Sequence, residues 1–187
     1  WKMRVHGESW LIGDTVNSGI GQGFMLASPL ELCVMTARIA SGNAVTPKLI
    51  RSVDGLPSAM DPGEPIGLNP NALDAVRGGM FAVSNDRRGT AYRARIAAPG
   101  MAMAGKTGTS QVRRITEAER RTGVFRNEDL PWNRRDHALF VAFAPFDAPR
   151  YAIATIVEHG GGGSTAAAPI AQDVLIRALY GPEPPIE

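Results

Sequence analysis

Cysteine, histidine and lysine are all scarce in this sequence, and each scarcity removes a class of function. One cysteine, Cys33, excludes an internal disulfide and any cysteine-rich metal site. It falls in an apolar helical pattern and reads as a small buried hydrophobe, not a nucleophile. His6, His137 and His159 are scattered and form no H-x-x-x-H pair, so neither a zinc site nor any other cofactor is expected. The only lysines are Lys2, Lys48 and Lys106; arginine supplies the remaining basic residues. A net charge of +2 and a pI near 9.0 are too mild to imply a nucleic-acid partner. No apolar run reaches the roughly 18 residues of a membrane span, and no signal peptide is recognisable. The chain opens on Trp1-Lys2-Met3-Arg4 without an initiator methionine, as expected of a segment that begins mid-protein.

What is present is an ordinary globular composition, 44% hydrophobic and 20% charged over 187 residues, enough for one domain or the greater part of a larger one. Ser28-Pro29-Leu30-Glu31 carries a capping box with proline at the first helical position. Leu32, Met35, Thr36 and Ile39 follow at helical spacing, and Gly42 offers a left-handed stop. Residues 51–69 read as a surface loop. A second helix is expected from Asn69-Pro70, with Leu73, Val76, Met80 and Val83 inward, until SNDRRGT (84–90) breaks it. Residues 101–112 look extended. Residues 113–136 hold 12 charges in 24 positions, seven of them arginine, and read as a solvated excursion. Two apolar runs, 138–144 and 151–159, are separated by six residues, which close a hairpin but cannot make a parallel crossover. GGGGS (160–164) reads as a flexible turn into a last helix with Ala171, Leu175 and Leu179 beside Ile170 and Val174, ended by Gly181-Pro182.

Residues 100–110, GMAMAGKTGTS, satisfy two unrelated patterns. From Gly100 they match the phosphate loop G-x-x-x-x-G-K-[ST]. From Lys106 they read Lys-Thr-Gly-Thr, the third signature of penicillin-recognising serine enzymes. A phosphate loop needs a buried parallel strand before it and a helix starting at its lysine. Here a turn, Ala97-Ala98-Pro99, precedes Gly100, and no helical period follows Lys106. Nucleotide binding is therefore the distant alternative. A strand carrying Lys106 would place Thr107 and Thr109 on one side, with Gly108 open to close approach.

The surrounding blocks decide in favour of the second pattern: GIGQG (19–23), RIASGNAVTPKLI (38–50), GGMFAVSNDRRGTA (78–91), AGKTGTSQV (104–112), RDHALFVAFAP (135–145) and VEHGGGGSTAAAPIAQDVL (157–175). In this order they resemble the second half of a penicillin-binding transpeptidase domain, from about Asp14 to Gly181. They are most similar to the class B enzymes of cell elongation, the penicillin-binding protein 2 group. The resemblance implies an α/β fold of α+β type, an antiparallel sheet flanked by helices as in the β-lactamases, here incomplete. It makes residues 1–187 the C-terminal portion of one transpeptidase domain, with 113–136 an excursion and 182–187 a tail. It implies a serine acyl-enzyme that cross-links peptidoglycan stem peptides and is trapped by β-lactam antibiotics. Lys106 would be catalytic, Thr107, Gly108 and Thr109 would bind substrate, and the backbone N–H of Thr109 would serve the oxyanion hole. Further implied partners are the upstream half of the same domain and the membrane proteins of the elongation complex, at the periplasmic face of the bacterial inner membrane with the anchor upstream.

The family's other signatures are absent. No lysine has a serine three residues before it, so S-x-x-K is missing and no nucleophile lies in this chain. Ser41-Gly42-Asn43 fits S-x-N but ends the first helix, and is read as turn chemistry; the same caution applies to Ser84-Asn85. The segment alone is expected to be inert. A β-lactam sensor or β-lactamase-like domain, or a non-catalytic interaction module, are the alternatives.

Overall fold

A computed structural model describes residues 1–58, 62–113 and 115–181. Its N-terminal part is two short helices, α1 (Lys2–His6) and α2 (Ile12–Gly19). Lys2 joins them: its Nζ donates to Asp14 Oδ2 at 2.6 Å and lies over the Phe24 ring. Trp1, His6 and Trp10 each lie tilted against Phe24, and Glu8 also pairs with Lys2 at 3.5 Å, so this region is held by rings around a lysine with two carboxylate partners. The hydrogen bond from Lys2 holds the Asp14 carboxyl below the ordinary carboxylate range, and Asp14 raises Lys2 in turn.

Helix α3 (Pro29–Ser41) starts as its sequence dictates. The Glu31 N–H donates to Ser28 Oγ at 3.3 Å, and the Ser28 N–H donates to Glu31 Oε2 at 2.7 Å. Gly42, at φ +74°, stops it. Two-residue strands β1 (Ser52–Val53) and β2 (Leu56–Pro57) form a small hairpin in the loop that follows. Helix α4 (Pro70–Asn85) begins with Asn69 Oδ1 accepting the Asn71 N–H. Strand β3 (Ala104–Ser110), helix α5 (Glu117–Thr122), strands β4 (His137–Ala144) and β5 (Tyr151–Val157), and helix α6 (Ala168–Tyr180) complete the chain.

The sheet has the order β3–β4–β5 and is antiparallel throughout. Period-two alternation along β4 divides its side chains between two cores. Ala138, Phe140, Ala142 and Ala144 pack with Met103, the turn around Ala94, and Ala168, Ala171, Leu175 and Leu179 of α6. Val141 and Phe143 take the other face, against Ala40 of α3 and Met80 of α4. Phe140 and Phe143 are fully buried, each worth about 1.5–3 kcal/mol relative to exposure.

Several helix positions depart from the periodic pattern. Met35, Val76, Ile170 and Val174 are 44%, 49%, 47% and 48% exposed, where the pattern put them inward. The contacts to the sheet fall instead on smaller neighbours, Thr36 and Ala40 in α3 and Ala168 and Ala171 in α6, because these helices lie close to the strands. The 113–136 excursion is ordered in short pieces. Thr116 and Glu119 form a capping box, Arg113 donates to Glu119 at 2.6 Å, and Asn127 bridges to Asp136. Gly181 follows α6, while Pro182 and the 182–187 tail lie outside the described residues.

Candidate functional site

The sheet places Lys106 in the middle of β3, opposite Val141, with Thr107, Gly108 and Thr109 opposite Phe140, Leu139 and Ala138. Among the described strands β3 lies at the edge, so one row of its backbone N–H and C=O groups points away from β4. The strand is buried at Ala104 and Gly105, exposed at Lys106, half-buried at Thr107 and Gly108, and exposed again at Thr109 and Ser110. The motif therefore emerges from the core onto an accessible edge.

Two close packings fix that edge. A Cβ at Gly105 would overlap the Phe140 ring and lie 2.7 Å from Val141 O. Gly163 presses on the motif from the turn before α6: a Cβ there would overlap Leu139 O and lie 2.6 Å from Gly108 O. The glycine run read as a flexible turn is thus, at Gly163, a buried packing element in a wide π-helical turn (Gly163–Ala167) that feeds α6. Gly108 itself is packed within the protein, since an added Cβ would stand 3.2 Å from Leu139 Cβ.

The Lys106 side chain is exposed and its Nζ donates to Thr107 O at 2.8 Å. Thr107 is half-buried, and its hydroxyl meets the hydroxyl of Thr90 at 2.9 Å. Thr109 is exposed at the end of the same face. One short edge strand thus carries an exposed ammonium, bonded to the Thr107 carbonyl, and two threonines that alternate to the other face, a set of groups suited to an anionic, extended peptide.

Helix α4 anchors the strand. Asn85 Nδ2 donates to both Phe81 O and Met103 O at 2.9 Å, so the helix end is tied to the residue before β3. Asn85 therefore has a structural task, while Ser84 is buried beside it. Ser41 Oγ donates to Ala37 O and accepts from the Asn43 N–H, consistent with a helix terminus. The histidines at the strand ends bond each other: the His159 N–H donates to His137 Nδ1 at 2.9 Å, and His159 Nδ1 lies 2.8 Å from Arg135 O. Cys33 is half-buried, with its thiol pushed up by burial, 3.4 Å from Ala152 O.

The phosphate-loop reading is overturned by this geometry. Lys106 is mid-strand instead of at a helix start, Gly100 sits in a turn, and the sheet has no parallel pair among the described strands. A nucleotide would require a helix starting at the lysine, and here the strand runs on to Ser110.

Comparison with known proteins agrees with the strand-borne reading. Residues 4–176 match the family model described as the penicillin binding protein transpeptidase domain. This chain belongs to the penicillin-binding transpeptidase family. Among its relatives, the peptidoglycan D,D-transpeptidase MrdA of Haemophilus influenzae is 34% identical over 100% of this chain and 29% of that protein. The MrdA of Acinetobacter baumannii is 37% identical over 89% of this chain and 25% of its own length. A crystal structure of Pseudomonas aeruginosa PBP2 in complex with WCK 5153 superposes with a TM-score of 0.78 at 36% identity, covering all of this chain and 38% of that one. Helicobacter pylori PBP2, in its complex with MreC, gives a TM-score of 0.72 at 33% identity, over 96% and 30%. The chain thus spans under a third of the length of these MrdA relatives. The transpeptidase fold class holds, with mixed helices around an antiparallel sheet.

Two residues of this family member's edge went unseen in the sequence, Thr90 and Gly163. Thr90 is separated by 17 positions from the hydroxyl it meets, and no local period links them. Gly163 carried a signal, four glycines before a helix, but composition alone does not separate a close approach from a flexible turn.

Proposed function

We propose that this chain supplies the Lys-Thr-Gly side of a peptidoglycan D,D-transpeptidase site, the serine nucleophile coming from a preceding part of the protein. The observation that carries the reading is Lys106-Thr107-Gly108-Thr109 displayed on an edge strand, with the lysine exposed and the hydroxyls toward one face. In the complete site the serine attacks the carbonyl of the terminal D-Ala-D-Ala bond of a stem peptide. The ammonium of Lys106 stabilises the charge that accompanies proton transfer. Thr107 and Thr109 hydroxyls donate to the terminal carboxylate, and the Thr109 N–H faces the developing oxyanion. D-Alanine leaves, and the amine of a second stem peptide resolves the acyl-enzyme into a cross-link. A β-lactam follows the same path to a stable acyl-enzyme. This chemistry belongs at the periplasmic face of the bacterial inner membrane, alongside membrane proteins of the elongation complex, and the MreC complex of the H. pylori relative supports that setting.

The test is acylation of the complete protein by a fluorescent penicillin, with and without Lys106→Ala. We expect one adduct on the wild-type protein and a loss of about a hundredfold or more in the variant, the scale of removing one preorganised electrostatic partner. Lys106 is exposed, so the variant should keep its fold, and an unchanged melting transition checks that. Normal labelling of Lys106→Ala would refute the assignment.

A further inference from the structure

We infer that Thr90 is a positioning residue for Thr107, fixing the hydroxyl that receives the substrate carboxylate; the inference rests on the transpeptidase reading above. The two hydroxyl oxygens are 2.9 Å apart, and either one can donate. A threonine hydroxyl has one proton and two lone pairs. When Thr90 donates, one lone pair of Thr107 is occupied and its own proton is left for the carboxylate. A hydroxyl that already accepts one bond donates more strongly in the next, since chained bonds polarise each other. Without Thr90, the Thr107 proton rotates freely and the incoming carboxylate must order it.

The chain builds Thr90 into place with some care. Helix α4 ends at Asn85, and a tight turn then runs back over it. The Gly89 N–H donates to Asp86 O at 2.8 Å, and the Ala91 N–H donates to Val83 O at 3.0 Å. Gly89 is required for this path, because a Cβ there would overlap the carbonyls of Ala82 and Val83. Asp86 also holds Arg88 at 3.2 Å, which pulls its carboxyl below the ordinary range. The turn is therefore pinned on both sides of Thr90, and Ala91 next to it is buried in the core. Thr90 itself is exposed, and among the described residues its hydroxyl bonds only that of Thr107, so the hydroxyl is not explained by the stability of the turn.

The experiment measures the second-order rate of acylation by benzylpenicillin in the complete protein, for the wild type, Thr90→Val, Thr90→Ser, Thr107→Val and the double variant. One net hydrogen bond corresponds to about three- to tenfold, so Thr90→Val should lose about that factor. Thr90→Ser, which keeps the hydroxyl, should stay within about twofold of the wild type. In the Thr107→Val background the Thr90→Val change should cost less than about twofold, because its target hydroxyl is gone. Thr90→Ala serves as a second variant with the same expectation, and all variants should melt with the wild type. An unchanged rate in Thr90→Val, or an equal loss with and without the Thr107 hydroxyl, overturns the inference. A folded wild-type protein that takes no penicillin overturns the transpeptidase reading and the inference together.

Discussion

Replacing Gly163 with alanine tests the packing that shapes the motif strand. Gly163 is buried, and its added methyl would overlap Leu139 O, lie 2.6 Å from Gly108 O and 3.1 Å from Gly108 N. All three are backbone atoms of a paired sheet, so no side chain can rotate away. Relief requires the turn before α6 and strands β3 and β4 to separate by about an ångström, against an ordinary contact near 3.4 Å or more. Overpacking of this kind costs about 1–3 kcal/mol, and the rigid neighbours argue for the upper end. At about 2–4 °C per kcal/mol for a domain of this size, the melting transition should fall by about 6–12 °C.

The same displacement moves Gly108, and with it the register of Lys106 and the two threonines at the edge. A misplacement on the order of 1 Å costs about a hundredfold in a positioned reaction, so penicillin acylation should fall by that scale in folded protein. Scanning fluorimetry and fluorescent penicillin labelling of the complete protein read both effects. Gly162→Ala is the control, since its methyl meets only Thr165 Oγ1 at 3.0 Å, a side chain free to turn. If Gly163→Ala melts and labels like the wild type, the close approach does not constrain the motif and the reasoning is wrong.

Gly79 lies inside α4 with nothing within 4 Å of an added Cβ, so Gly79→Ala should stabilise by roughly 0.5–1 kcal/mol through reduced chain entropy and raise the melting point; a lower melting point would contradict it. The Lys2–Asp14 pair carries a defined pH sign. Asp14 is depressed by its partner, so its contribution is present above the ordinary carboxylate range and disappears as pH falls through its lowered folded value. Lys2 is raised, so its contribution persists through neutral pH and disappears only as pH rises through a value above the ordinary lysine range. The stability gap between wild type and Asp14→Asn should therefore close in strong acid, and a gap constant from neutral pH down to about pH 2 refutes the coupling.

What the sequence made legible was local or strongly periodic. The capping box at Ser28 and Glu31 is complete within four residues, so its two hydrogen bonds follow from adjacent positions alone. The β4–β5 hairpin follows from two apolar runs and a short connection, because six residues can close a hairpin but cannot make a parallel crossover. The motif strand was legible because glycine and threonine carry no helical period after Lys106.

The failures are all tertiary. Periodicity gives the direction of a helix face, but the depth of contact depends on how closely the helix approaches the sheet. In α6 the close approach goes through Ala168 and Ala171, which leaves Ile170 and Val174 on the flank. The same closeness explains Gly163: a helix that enters over a sheet backbone needs a position without a side chain where it crosses, and that crossing is at Gly108. Thr90 reaches the site by the same route, through a turn that only Gly89 can make against α4. The glycines at 89 and 163 thus bring two separate segments onto one strand, and both crossings converge on Thr107 and Gly108. Their chemistry is silent in the sequence because glycine contributes room instead of a group. The accessible edge around Lys106 exists because these contacts press β3 from behind and leave its outer side open.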